Sequence, residues 1–116
     1  MRDSALPVLN LAAALERVGG DEELLKEVTG LYRKESAMLV AEIEAAVRSG
    51  SAEDLQQSAH TLKGSLSAVG AEASADAALQ LESQGRTKDL RESSQALLDL
   101  HRALEQLHLQ LDAAGI

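Results

Sequence analysis

Between its glycines the chain repeats apolar residues at every third or fourth position. No stretch alternates apolar with polar residues over the length of a strand. That period admits helices and argues against a sheet. Gly19, Gly20, Gly50, Gly70 and Gly85 punctuate the pattern, and the one proline, Pro7, precedes it. The spacing predicts an all-α chain, roughly three-quarters helical against a usual third.

Taken segment by segment, the pattern predicts about six helices. The first runs from about Asn10, its N-cap, to Val18, with Leu11, Leu15 and Val18 on one face and Gly19 ending it. Asp21 caps the second, whose inner face is Leu24, Leu25, Val28, Leu31 and Tyr32; Gly30 lies inside it. A third, carrying Leu39, Ile43, Ala46 and Val47, runs to about Arg48 and stops at Gly50. Ser51 caps the fourth, with Leu55, Ala59, Leu62, Leu66 and Val69 inside, and Gly70 stops it. The fifth spans Ala71 to about Gln84. Thr87 caps the sixth and longest, with Leu90, Leu97, Leu100, Leu104, Leu107 and Leu111 in its stripe. Short links between neighbours predict an antiparallel up-down four-helix bundle, with the short N-terminal helix across one end. The 116 residues suit one domain, 1–116, and show no linker or repeat.

Composition removes several functions. With 11 Lys and Arg against 19 Asp and Glu, the net charge is −8, which repels phosphate backbones. One tyrosine, with no Phe or Trp, leaves no aromatic platform for stacking bases. Nucleic acid is therefore not an expected partner. The absence of cysteine excludes disulfides and thiolate metal sites. The longest apolar stretch, Ala5 to Leu15, is too short to span a bilayer and contains Asn10. Read as a signal peptide it fails, because Asp3 cancels Arg2 and the stretch runs unbroken into a helical pattern. The expected location is cytoplasmic, with no membrane partner.

One histidine stands apart. At 100° per residue, His60 points roughly 140° away from the stripe of its helix. Gly64 lies nearly opposite that stripe, Ser67 and Ala68 also face outward, and Gln56, Gln57 and Lys63 complete the surroundings. A lone surface histidine on a helix usually does nothing, and a lysine three residues on adds little. The glycine changes the weighing: it costs a mid-helix position about 1 kcal/mol with no evident packing reason. A neutral imidazole is a competent nucleophile near pH 7. Lys63, one turn along, can neutralise a phosphoryl group placed on it, and Gly64 leaves room for a partner's active site. Phosphoryl transfer needs in-line geometry and charge stabilisation above all.

The run His60-Thr61-Leu62-Lys63-Gly64-Ser65, followed by Val69-Gly70-Ala71, resembles the histidine phosphotransfer (HPt) domain family. The opening from Asn10 to Leu25 is also similar to that family's, so the resemblance spans about Leu9 to Leu111. It implies that His60 is the phosphoacceptor, through Nε2, that Lys63 stabilises the phosphoryl group and that Gly64 gives access. Gln57 and Ser67 would stand behind them. Some members place a glutamine on the next helix near the histidine's other nitrogen, and spacing puts Glu82 there. Glu82 would be an orienting acceptor or a solvated charge, the second being the expectation. The docking surface would surround the histidine and involve Leu11, Leu15, Gln56 and Ala68, although the two leucines equally close the core.

The resemblance further implies response-regulator receiver domains and a hybrid sensor histidine kinase as partners. The aspartate and Mg²⁺ of the receiver would perform the chemistry, and the domain, a monomer, would need no metal or cofactor. It would be a phosphocarrier rather than an enzyme. Met1, close to the family's start, favours a free-standing protein. Family members often have Phe where Tyr32 stands, so this core is built from smaller side chains.

No glycine-rich phosphate loop is present, so neither ATP binding nor self-phosphorylation is expected. Glu105 and His108 form a single E-x-x-H without the second one a di-iron bundle needs. His101 and His108 read as partly exposed structural residues, and Ser65 and Ser67 lack a positioned base. Two other readings compete. One is an interaction module that binds a receiver or kinase domain without phosphate chemistry. The other is a structural bundle that dimerises through the leucine stripe of the sixth helix.

Overall fold

Side-chain caps set where the first three helices begin. Asn10 accepts the Ala13 amide, Asp21 that of Leu24 and Ser51 that of Asp54, each relieving an amide the helix cannot pair. The computed structural model describes residues 6–116, so Arg2, Asp3 and Ala5 lie outside it. Among the described residues there are five helices and no strand: α1 (Leu11–Arg17), α2 (Glu22–Ser49), α3 (Ala52–Ala68), α4 (Glu72–Thr87) and α5 (Ser93–Ala113).

Five helices replace the expected six because the second and third are one, α2, 28 residues long. Gly30 sits inside it without ending it. A single glycine costs a helix about 1 kcal/mol, and the buried stripe Leu25, Thr29, Tyr32, Ser36, Leu39, Ile43, Ala46 runs through in register. The expected inner face was partly wrong. Leu24 and Leu31 are exposed, while Thr29 and Ser36 take inward places. Both hydroxyls donate to carbonyls of their own helix, so their burial leaves no polar group unpaired.

The last two boundaries also move. Gly85 does not end α4, which continues to Thr87 and closes on Lys88 in the left-handed conformation. Gly85 faces α3 so closely that a Cβ there would stand 2.6 Å from the Gln56 amide nitrogen and 2.7 Å from the Ala52 oxygen. Its role is close approach rather than termination. Thr87 therefore finishes α4 and does not cap α5, which starts at Ser93.

The long helices pack in a ring: α2 on α3, α3 on α4, α4 on α5, and α5 back on α2. Side-chain bonds show the directions. Glu35 meets Ser65 and Glu42 meets Ser58, so α2 and α3 are antiparallel. His101 meets Glu44 and His108 meets Tyr32, so α5 and α2 are too. Leu100, Leu104, Leu107 and Leu111 of α5 are buried in the shared core, so they offer no outer stripe for the expected dimer alternative. The short α1 is pinned to the turn between α3 and α4: the Asn10 amide donates to Gly70 O at 2.7 Å, and Asn10 Nδ2 donates to Glu72. A Cβ on Gly70, whose φ is +75°, would strike Asn10 O, so only glycine lets α1 lie this close.

Candidate functional site

α3 turns its apolar stripe fully inward. Leu55, Ala59, Leu62 and Leu66 are all at 0% exposure, and Val69 at the cap is buried with them. The opposite face carries His60, whose side chain is 66% exposed. Gly64 follows one turn later, with open space where a Cβ would stand. The ring therefore projects from the bundle, with no side chain beside it at position 64.

The expectation that Glu82 is a solvated charge is overturned. Glu82 is only 7% exposed and reaches from α4 to the histidine. His60 Nδ1 lies 2.9 Å from Glu82 Oε2, and Lys63 Nζ lies 2.7 Å from Oε1. The antiparallel α3–α4 pair brings these three side chains together. The Lys63 ammonium holds the Glu82 carboxyl below the usual carboxylate range; burial opposes this and the His60 contact assists. An ionised carboxylate only accepts hydrogen bonds. In the neutral ring Nδ1 therefore carries the proton and donates it, which leaves the Nε2 lone pair facing outward.

Arg86, one turn beyond Glu82, was not expected from the sequence. Its NH1 lies 3.8 Å from the same Oε2, and NH2 donates to Ser83 Oγ. Glu82 thus joins an imidazole, an ammonium and a guanidinium. The i, i+4 spacing of Glu82 and Arg86 was a visible signal, but only once Glu82 was known to face the histidine.

The other candidates lie around this centre at varying distance. Gln57 and Ala68 are exposed, and Gln56 is half-buried beneath Gly85. Ser67 is exposed on the face of His60, and its carbonyl accepts from the Arg17 guanidinium of α1. Leu11 is exposed and Leu15 half-buried; both line a pocket of about 260 Å³ with Leu25, Lys26 and Ile116, where α1 meets the start of α2. They are not brought against the imidazole.

His108 Nε2 is 2.9 Å from the Tyr32 hydroxyl, and His101 Nε2 is 3.0 Å from Glu44 Oε2. Both histidines bridge α5 to α2. Among the described residues no three His, Asp or Glu side chains converge as a metal site would need.

The pattern of the Hpt domain family matches residues 27–114. The chain belongs to the Hpt domain family. The match takes in α3, α4 and α5 with nearly all of α2, so His60, Lys63, Gly64 and Glu82 all lie within it. The opening from Asn10 to Leu25 lies before it. The likeness of fold reaches beyond the residues that the family pattern matches. The crystal structure of histidine-containing phosphotransfer protein B from Pseudomonas aeruginosa PAO1 superposes with a TM-score of 0.86. That likeness covers 96% of each chain at 22% identity. No curated protein matches the chain. An Hpt domain is a histidine phosphotransfer module of two-component signalling. No helix among the described residues is long and apolar enough to cross a membrane.

Proposed function

We propose that this Hpt domain is a phosphorelay intermediate, in which His60 takes a phosphoryl group from the aspartate of one receiver domain and passes it to another. The observation that carries the reading is the hydrogen bond from His60 Nδ1 to buried Glu82, which directs the Nε2 lone pair outward on an exposed ring.

In the forward step Nε2 attacks the phosphorus of a receiver's aspartyl phosphate. The N–P bond forms as the P–O bond to the aspartate breaks, and the carboxylate leaves with the electron pair. Glu82 keeps the ring from turning, so the attack costs little orientational entropy. Lys63 is close enough to exchange part of its contact with Glu82 for the new phosphoryl oxygens. Gly64 admits the receiver's active site. Mg²⁺, where the reaction uses it, belongs to the receiver, and the Hpt domain supplies nucleophile and charge only. It works as a carrier, not as an enzyme with its own turnover.

The four long helices form an up-down bundle in this reading, presenting the histidine face to receivers and to the receiver of a hybrid sensor kinase. Gln56, one turn before the ring, and exposed Ala68, two turns beyond it, would fall within the partner's contact. Leu11 and Leu15 extend the contact on the α1 side. The working state is a monomer in the cytoplasm, where receivers operate.

The test is labelling by a phosphorylated receiver. The label on the domain should be acid-labile and base-stable, as a phosphoramidate is, and His60→Gln should abolish it. Equal labelling of that variant would remove His60 from the reaction.

A further inference from the structure

Phosphorylation changes what Nδ1 has to do. In the resting ring Nδ1 donates its proton to Glu82, and Nε2 holds the free lone pair. Once Nε2 is bonded to phosphorus, Nδ1 becomes the ring's one remaining titratable nitrogen. A phosphorylated ring that keeps the Nδ1 proton expels its phosphoryl group as neutral imidazole. A ring that has lost it must leave as an imidazolide anion, a far poorer leaving group. The state of Nδ1 therefore decides whether the phosphoryl group can be passed on.

We propose that Glu82 retains the Nδ1 proton on phosphorylated His60, and so sets the rate and the upper pH limit of phosphoryl release. This rests on His60 being the phosphoacceptor. Glu82 is a positioning residue here, because it acts through the imidazole and touches neither phosphorus nor the receiver.

The chemistry of the side chain argues for this role. A carboxylate has no hydrogen to offer, so it can satisfy Nδ1 only while Nδ1 is protonated. An amide in the same place could turn its NH₂ toward a bare Nδ1 and tolerate loss of the proton. Glu82 is also 7% exposed, so its attraction for a protonated ring is weakly screened. Its carboxyl is held below the usual range, chiefly by Lys63, and is ionised where transfer takes place.

The charges around the ring are Lys63 of α3 and Glu82 and Arg86 of α4. Lys63 and Arg86 act against ring protonation. The transferred phosphoryl group, which is anionic, acts for it and draws Lys63 toward itself. Glu35 and Glu42 of α2 are bonded to Ser65 and Ser58, and Arg17 of α1 is bonded to the Ser67 carbonyl. The carboxylate in contact with Nδ1 is Glu82.

The balance of the release step is simple. The receiver's aspartate oxygen forms a bond to phosphorus as the Nε2–P bond breaks, and the electron pair returns to Nε2. The Nδ1 proton does not move. The product is the tautomer that the Glu82 contact selects in the neutral ring, so no proton has to be exchanged before the next cycle.

The experiment is to phosphorylate the intact protein and Glu82→Gln with phosphoramidate, which needs no receiver, and to follow phosphohistidine loss across pH. An opposite charge at this range moves a pKa by about 1–3 pH units. The alkaline fall in release should therefore come at least about one pH unit lower in Glu82→Gln. Above that point the variant's phosphohistidine should last about tenfold longer for every pH unit by which the fall has moved. A variant whose rate changes by one factor at every pH would show that Glu82 only holds structure, and would overturn the proposal.

A second measurement does not depend on the variant folding. Ring ¹⁵N spectra of the phosphorylated wild type should show Nδ1 protonated at a pH where an unstructured phosphohistidine peptide has lost that proton. Loss at the same pH as the peptide would overturn the proposal. A wild type that takes no label on His60 would sink the phosphoacceptor reading itself, whereas a labelled protein with an unmoved profile sinks this proposal alone.

Discussion

Lys63 is bound to Glu82 at 2.7 Å in the resting protein, although its expected task lies with a phosphoryl group on His60. The ammonium sits on one oxygen of the carboxylate whose other oxygen meets His60. Lys63→Ala should leave the helical content intact and slow transfer from a phosphorylated receiver by about tenfold or more, the loss expected of one charge-assisted donor. Rapid-quench transfer assays would check this, and an unchanged rate would remove Lys63 from the mechanism.

The same pair makes stability depend on acid. Glu82 has a folded pKa below its ordinary value of 4.5, so the folded state binds fewer protons than the unfolded one. Its contribution is fully present above the ordinary value and is lost as pH falls through the lower folded value. Urea midpoints measured downward from pH 6 should decline in that window, and Glu82→Gln should decline less. Parallel curves for the two proteins would contradict the ion pair.

His108 predicts a second window at higher pH. Burial, aided by Arg33, lowers its pKa from 6.5, so the unfolded chain binds the extra proton first. The neutral ring's contribution is present above that ordinary value and fades as pH drops through the folded one. A urea series between pH 7.5 and 5 should show falling stability in wild type and a flatter response in His108→Gln.

Two helical glycines should respond in opposite ways to alanine. At Gly85 the added methyl would press on the backbone of Ala52 and Gln56, and overpacking of this kind costs about 1–3 kcal/mol. At Gly64 the methyl meets nothing, so better helix propensity should raise stability by about 0.5–1 kcal/mol. Gly64→Leu should keep that helicity yet block transfer, because its bulk stands beside the imidazole. Denaturant melts with labelling assays separate the two effects.

What could be read from the letters was decided by range. The outward aim of His60 follows from Leu55, Ala59, Leu62 and Leu66, which share one helix, and all four are buried. The caps Asn10, Asp21 and Ser51 are likewise local and were legible. Glu82 was located by spacing, but its burial comes from contact between two helices, which periodicity along either does not report. Gly85 misled for the same reason: a glycine that ends a helix and one that lets helices touch look alike in sequence. Leu31 and Thr29 exchanged places because apolar letters outweighed the register that Leu25 and Tyr32 set.

Gly85 packs against Gln56, one turn before His60 on α3, and lies on the same helix as Glu82. With only hydrogens between the two backbones, α4 settles directly onto α3, and a side chain of ordinary length bridges the remaining gap to His60. Widening that seam by the thickness of one methyl should lengthen the 2.9 Å contact between Glu82 and the imidazole. The reach from α4 to the imidazole thus depends on a residue that has no side chain.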